Sequence, residues 1–202
     1  MNVRQRISAE DMRERIITVA EEHFRRLGYS KTAVADIAAA LGMSPANIYR
    51  FFPSKNAINN AICAKLAEET RALVAEIVAR PLPAAERLRI FFLALHQHNR
   101  ATLIHEHRLH DMVEAAMEEN WPAIEAHCAQ MEAFLAQLIR DGIAAGEFRA
   151  VDPEAFAATA FDAGLKIFHP TMIAHCSRCS TFAEMDSSAL ALADLIIAAL
   201  RP

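Results

Sequence analysis

The chain is predicted to be all-α: a compact N-terminal helix-turn-helix unit of three helices, then a larger helical unit. Two observations predict this. Apolar residues recur at helical spacing along most of the 202 residues, with almost no strand-like alternation. The composition is Ala-rich and Gly-poor, with five Gly and eight Pro that punctuate the amphipathic stretches.

The first element, Met12 to Leu27, places Ile16, Val19, Ala20, His23, Phe24 and Leu27 on one face and stops at Gly28-Tyr29-Ser30. Thr32 is expected to cap the second helix, in which Ile37, Ala38 and Leu41 share a buried stripe. Gly42 follows, where a sharp exit from a helix needs the positive φ that glycine adopts without strain. Ser44-Pro45 then restarts a helix, Ser as the cap and Pro at the first helical position, where no N–H is required. Ile48 and Phe51 carry the apolar stripe into this third helix. Two short helices about a tight turn, the second presenting polar and aromatic side chains, suit the major groove of DNA. An ordinary helical hairpin needs the same turn, so this segment alone admits both readings. Pro53 then disfavours helix at Phe52, and Ser54 caps a long helix running to about Arg80.

Beyond Pro81-Leu82-Pro83, the stretch from Ala84 to about Glu119 is too long for one straight helix and is expected to break near Asn99–His105. Trp121-Pro122 starts another helix, which ends between Arg140 and Gly146. Asp152-Pro153 is a strong start, and that helix is expected to run to Pro170. Residues 177–188 read as a polar loop or short turn and Ser187 to Leu200 as the last helix. The expected division is a helix-turn-helix DNA-binding domain over 1–53 and a larger helical domain over 54–202, to which the resemblance described below assigns effector binding and dimerisation.

Charge agrees with that division. Residues 1–56 carry nine Lys/Arg against six Asp/Glu, and residues 57–202 carry twelve against nineteen. A cationic head on an acidic body fits a reader of phosphate backbone whose other half stays off the duplex. The N-terminus has no apolar core of a signal peptide, and the longest apolar run, Ala189 to Leu200, is interrupted by Asp194. A cytoplasmic protein with no membrane partner is expected, its four cysteines as thiols. An enzyme is not expected. No Glu has His three residues on, His105-Glu106 lacks the zinc-protease spacing, and there is no Gly-rich phosphate loop or Gly-x-Ser-x-Gly.

The residues Ile17-x2-Ala20-x3-Phe24-x3-Gly28-Tyr29, Thr32-x4-Ile37-Ala38-x2-Leu41-Gly42-Met43-Ser44 and Ile48-Tyr49-Arg50-Phe51-Phe52-x2-Lys55 resemble the tetracycline-repressor (TetR) family of bacterial transcription regulators. The resemblance covers about the first quarter of the chain. It implies phosphate contacts from Thr32, Ser44, Tyr49 and Lys55, and an approach to base edges by Pro45, Ala46, Asn47 and Arg50. Asn47 departs from the Gly or small hydroxyl common there; Asn can pair bidentately with adenine, so the departure bears on the operator sequence.

Phe156, Ala160, Ala163 and Ile167 form one apolar face, and Leu190, Ala193, Ile196, Ile197 and Leu200 another. By pattern, both faces can pack on their own core or across a dimer. The resemblance implies a homodimer in which these two helices form a four-helix bundle, so Phe156, Ala160, Ala163, Ile167, Leu190, Ala193 and Ile197 are the expected interface.

The resemblance also implies a hydrophobic small-molecule effector, with His98, Met112, Met117, Trp121 and Phe168 as candidate lining. Histidines are dense after residue 95: His107, His110 and Asp111 sit at i, i+3 and i+4, and His127 and His169 could converge on them as a zinc or nickel ligand set. The run His175-Cys176-Ser177-Arg178-Cys179 is half of a zinc motif and a weaker candidate. The expected function is a regulator, a repressor released from a palindromic double-stranded DNA operator by a small-molecule effector; the alternative is a metal-responsive regulator.

Overall fold

The computed structural model describes residues 8–104, 112–113, 115–117 and 122–202. Among the described residues the fold is helical, with no strand. None of their helices is long and apolar enough to cross a membrane.

Helix α1 (Ala9–Leu27) begins one turn earlier than expected because Ser8 and Asp11 form a capping box. The Ser8 hydroxyl accepts from Asp11 N–H at 3.0 Å, and the Asp11 carboxylate accepts from Ser8 N–H at 3.3 Å. Helix α2 (Val34–Ala40) is capped at Ala33, not at Thr32: the Asp36 carboxylate accepts from Ala33 N–H at 2.8 Å. Thr32 turns inward instead, and its hydroxyl donates to Gly28 O at 2.9 Å. Gly42 has the expected positive φ, 65°, ahead of α3 (Pro45–Tyr49).

Helix α4 (Lys55–Val78) is capped by Ser54, whose hydroxyl accepts from Ala57 N–H at 3.0 Å. At 1.5 Å per residue it is a rod of about 36 Å. Its two ends serve different cores. Ile58, Ile62 and Cys63 pack with Ile16, Phe24, Ile37 and Ile48 in the N-terminal core, the expected reader, whereas Val74 and Ile77 pack with Leu88, Phe91 and Leu135 in the second core. The packing therefore runs straight across position 54.

The second core is built from α5 (Ala84–Ile104), α6 (Pro122–Ala144), α7 (Pro153–Ala163), α8 (Leu165–Phe168), α9 (Pro170–Cys176) and α10 (Phe182–Leu200). The N-terminus of α5 is capped from a distance by the Glu147 carboxylate, which accepts from the N–H groups of Ala84 and Ala85 at 2.9 and 3.2 Å. The buried Arg87 donates to Val78 O at 2.7 Å and to Asp141 at 2.9 Å, tying α4, α5 and α6 at one end.

Asp152 starts α7 as expected, its carboxylate accepting from Glu154 and Ala155 N–H. That helix does not run on to Pro170. It breaks at Gly164, where the Phe168 ring folds back so closely that a Cβ would lie 2.5 Å from it. The final helix starts at Phe182 rather than Ser187, because Thr181 and Glu184 form a second capping box.

Candidate nucleic-acid interface and effector cavity

Helix α3 has five residues, too few to hold itself together in water, so tertiary packing must fix it. Ile48 supplies the anchor: it is fully buried against α1, α2 and α4. With Ile48 pointing inward, Ser44, Pro45, Ala46, Asn47, Tyr49 and Arg50 all face outward, and Tyr49 is 51% exposed. The Ser44 hydroxyl makes no cap bond, contrary to the expectation that it would satisfy the first N–H groups of α3. Proline at the first position and the backbone bond from Asn47 N–H to Ser44 O, 3.0 Å, organise that end instead.

Two positions implied as phosphate contacts are engaged inside the protein. Thr32 is 2% exposed, and its hydroxyl is committed to Gly28 O. The Lys55 ammonium donates to Tyr29 O at 2.9 Å and Thr32 O at 3.2 Å and lies 4.3 Å from the centre of the Tyr29 ring. Burial pushes the Lys55 ammonium below its ordinary pKa range. Both residues brace the turn between α1 and α2, at the edge of the exposed face. Arg13 does a similar task on the other side, stacking 4.3 Å from the Phe52 ring and donating to Phe51 O at 2.5 Å. Sequence periodicity places Arg13 on α1 and says nothing of that reach.

Asn59 and Asn60 join the reader end of α4 to the second domain. Asn59 is fully buried and donates to Met112 O at 3.2 Å, leaving its own Oδ1 without a partner among the described residues. Asn60 Oδ1 accepts from Ala123 N–H at 3.3 Å, at the start of α6. The helical residues 112–113 and 115–117, which Asn59 grips at Met112, face two ways. Met112 and Ala116 are buried in the reader core, while Val113 and Met117 line a cavity in the second domain.

That cavity has a volume of about 180 Å³ and a mostly apolar wall between α4, α5, α6 and the α7–α9 elbow. Of the candidate lining residues, His98, Met117 and Phe168 reach it. Met112 does not: its side chain fills the reader core. Trp121 lies outside the described residues. Phe168 is held by stacking on Phe92 and Phe161, with ring centres 5.4 and 5.5 Å apart. Two cysteines share the wall. Burial pushes the Cys63 thiol up to about 12, and burial with the nearby Glu132 charge raises Cys128.

Of the metal candidates, His107, His110 and Asp111 lie outside the described residues, as does His105. His127 and His169 both line the cavity, so the structure does bring these two to one place. Among the described residues, no group of three or more His, Cys, Asp or Glu could hold a metal ion. Cys176 is buried against Ile173 and Met185, and Cys179 is exposed.

The expected dimer face needs a correction of angle. Ala160, Ile167, Ala193 and Ile197 are buried in the chain's own core, with Phe156 packed on its margin, because α7, α8 and α10 turn these side chains inward. Leu190 is half-buried. Ala163 alone of the seven is exposed. The open face of α7 is Ala155, Thr159 and Ala163, and that of α10 is Ser188, Ala191, Leu195 and Ala198. Leu195 is 67% exposed.

Comparison with known proteins agrees with this architecture. The family model described as "Tetracyclin repressor-like, C-terminal domain" matches residues 84–187, and that of "Bacterial regulatory proteins, tetR family" matches residues 16–62. A search of curated proteins gives no match. Solved structures with the same fold include a transcriptional regulator from Cytophaga hutchinsonii ATCC 33406, 19% identical with a TM-score of 0.69, covering 94% of this chain and 98% of that one. The regulator FadR from Bacillus subtilis, solved with stearoyl-CoA, is 16% identical with a TM-score of 0.67, covering 93% and 99%. A TetR/AcrR-family regulator from Thermobifida fusca YX-ER1 is 24% identical with a TM-score of 0.59, covering 95% and 100%. The chain belongs to the TetR family of transcriptional regulators.

Proposed function

We propose that this DNA-binding regulator is a cytoplasmic repressor that grips a palindromic operator as a homodimer and lets go when a small molecule fills the second-domain cavity. The observation that carries the reading is the two-way packing of Met112, Val113, Ala116 and Met117. Met112 and Ala116 belong to the reader core, and Val113 and Met117 to the cavity wall. A ligand that displaces Val113 or Met117 must therefore move residues packed against Ile58 and Ile62 of α4, or strain them.

The rest of the mechanism is geometric. Two copies joined through the open faces of α7 and α10 would hold two α3 helices at a fixed distance. DNA accepts such a pair only near a multiple of one helical turn, so a small pivot of α4 abolishes binding. In this scheme Asn47 and Arg50 read base edges, Ser44 and Tyr49 contact phosphate, and Thr32 and Lys55 act from behind by fixing the α1–α2 turn. Stearoyl-CoA is the ligand of the Bacillus subtilis structure; the cavity here has room for roughly one ring with a short substituent, so a smaller effector is proposed.

Selection of bound duplexes from a random pool tests this. The expected product is two inverted half-sites about 10 base pairs apart, or a multiple of that, with preference relaxed in Asn47→Ala and Arg50→Ala. A pool that shows no enriched sequence would overturn the proposal.

A further inference from the structure

The cavity wall has a distinctive polar inventory. Among the described lining residues there is no Lys, Arg, Asp or Glu. Thr70 and Asn99 already have partners: the Thr70 hydroxyl donates to Leu66 O at 3.1 Å and the Asn99 amide to Phe168 O at 3.2 Å. His98 and His127 are different. Both line the cavity, neither has a hydrogen bond to a described residue, and Nδ1 of His127 is buried with no partner among the described residues.

The orphaned nitrogen fixes the tautomer. A buried bare lone pair is tolerated more readily than a buried N–H without an acceptor. The proton of a neutral His127 ring therefore sits on Nε2. Both rings are neutral near pH 7. Burial pushes each below its ordinary range; the nearby His98 adds to this for His127, while the Glu69 charge only partly offsets it for His98.

A carboxylate entering this space would lose its hydration and meet no fixed cation among the described residues. The fixed charge that acts on His98, Glu69, has the wrong sign. Covalent capture of an electrophile is also disfavoured, because raised thiol pKa values keep Cys63 and Cys128 protonated. An engineered apolar cavity of about 150 Å³ accepts benzene, so the space here suits one ring with a short substituent.

We infer that the effector is a small uncharged ring compound with one hydroxyl or carbonyl oxygen, that oxygen accepting from Nε2–H of His127 beside His98 and the ring lying against Phe161 and Phe168. The inference rests on the cavity being the effector site, and the test separates the two claims.

Calorimetric titration of the full-length protein with 4-methylphenol, toluene and 4-methylbenzoate supplies that test. The expected order is 4-methylphenol first, toluene about 10-fold weaker and 4-methylbenzoate about 100-fold weaker. His127→Phe should bring 4-methylphenol down to the affinity of toluene, and His127→Gln, which keeps a donor, should restore most of the difference. Tighter binding of 4-methylbenzoate than of 4-methylphenol would overturn the head-group assignment while leaving the cavity as a ligand site. Equal binding of toluene and 4-methylphenol would remove the role given to His127. Failure of all three probes to bind would overturn the effector-site reading itself.

Discussion

Replacing Lys55 by Met separates two roles that the same residue could play. The ammonium sits between Tyr29 O at 2.9 Å and Thr32 O at 3.2 Å, over the Tyr29 ring. Met keeps the apolar stem and deletes the charge. A hydrogen bond from a charged donor contributes about 1.5–3 kcal/mol when shielded. This one is half-exposed, so water replaces part of the loss, and the expected cost for the pair is about 1–3 kcal/mol of stability. If Lys55 acts only as a brace, urea unfolding followed by circular dichroism will show that loss. Affinity for specific and random DNA will then fall together, with an unchanged salt dependence. If Lys55 instead pairs with phosphate, a dimer loses two contacts, and the slope of log K against log salt shrinks by about 1.8. A shrunken slope at unchanged stability would refute the bracing role.

Three further outcomes follow from local geometry. Leu195→Glu places a charge on the open face of α10 and should shift sedimentation from dimer to monomer with little change in helix content. Gly142→Ala would put a Cβ 2.1 Å from the buried Phe148 ring and should cost about 1–3 kcal/mol in thermal or urea unfolding. Burial pushes the Glu21 carboxyl up, but bonds from Arg25 and Lys65 outweigh it and hold the group below its ordinary range. A depressed carboxylate contributes stability above its unfolded value and loses it as pH falls through the folded one. Glu21→Gln should therefore flatten the acid side of the stability profile, measured by urea unfolding at a series of pH values.

Much of the fold was legible because cap and turn chemistry is local. Gly42, Pro45, Ser54 and Asp152 each do in the structure what their neighbours require. The capping box at Thr181 and Glu184 was equally local and readable, and the polar composition around it obscured the start of α10. The break at Gly164 was not readable, because the helical pattern continues through it and the ring that packs against it comes from Phe168, across the break. The inward turn of the expected dimer stripes was hidden for a related reason. In Ala-rich helices such as α7 and α10 both faces are small and apolar, so periodicity identifies a stripe without saying which core it joins. The roles of Thr32 and Lys55 depend on which carbonyls lie within reach, and sequence spacing cannot carry that.

The proposed coupling also has to be large enough. A ligand shifts an equilibrium only by the difference in its affinity for the two states, and a 100-fold loss of operator affinity needs about 2.7 kcal/mol. Contacts of the size found here can supply that. Displacing the buried Met112 side chain leaves a partial cavity in the reader, and even a fraction of the roughly 2–5 kcal/mol for deleting a core methionine is comparable with the requirement. Asn59 adds to the effect: once Met112 O moves, its amide becomes a second buried polar group without a partner, beside the Oδ1 that already has none among the described residues. On the proposed mechanism, a modest displacement at Val113 or Met117 would then favour a different seating of α4.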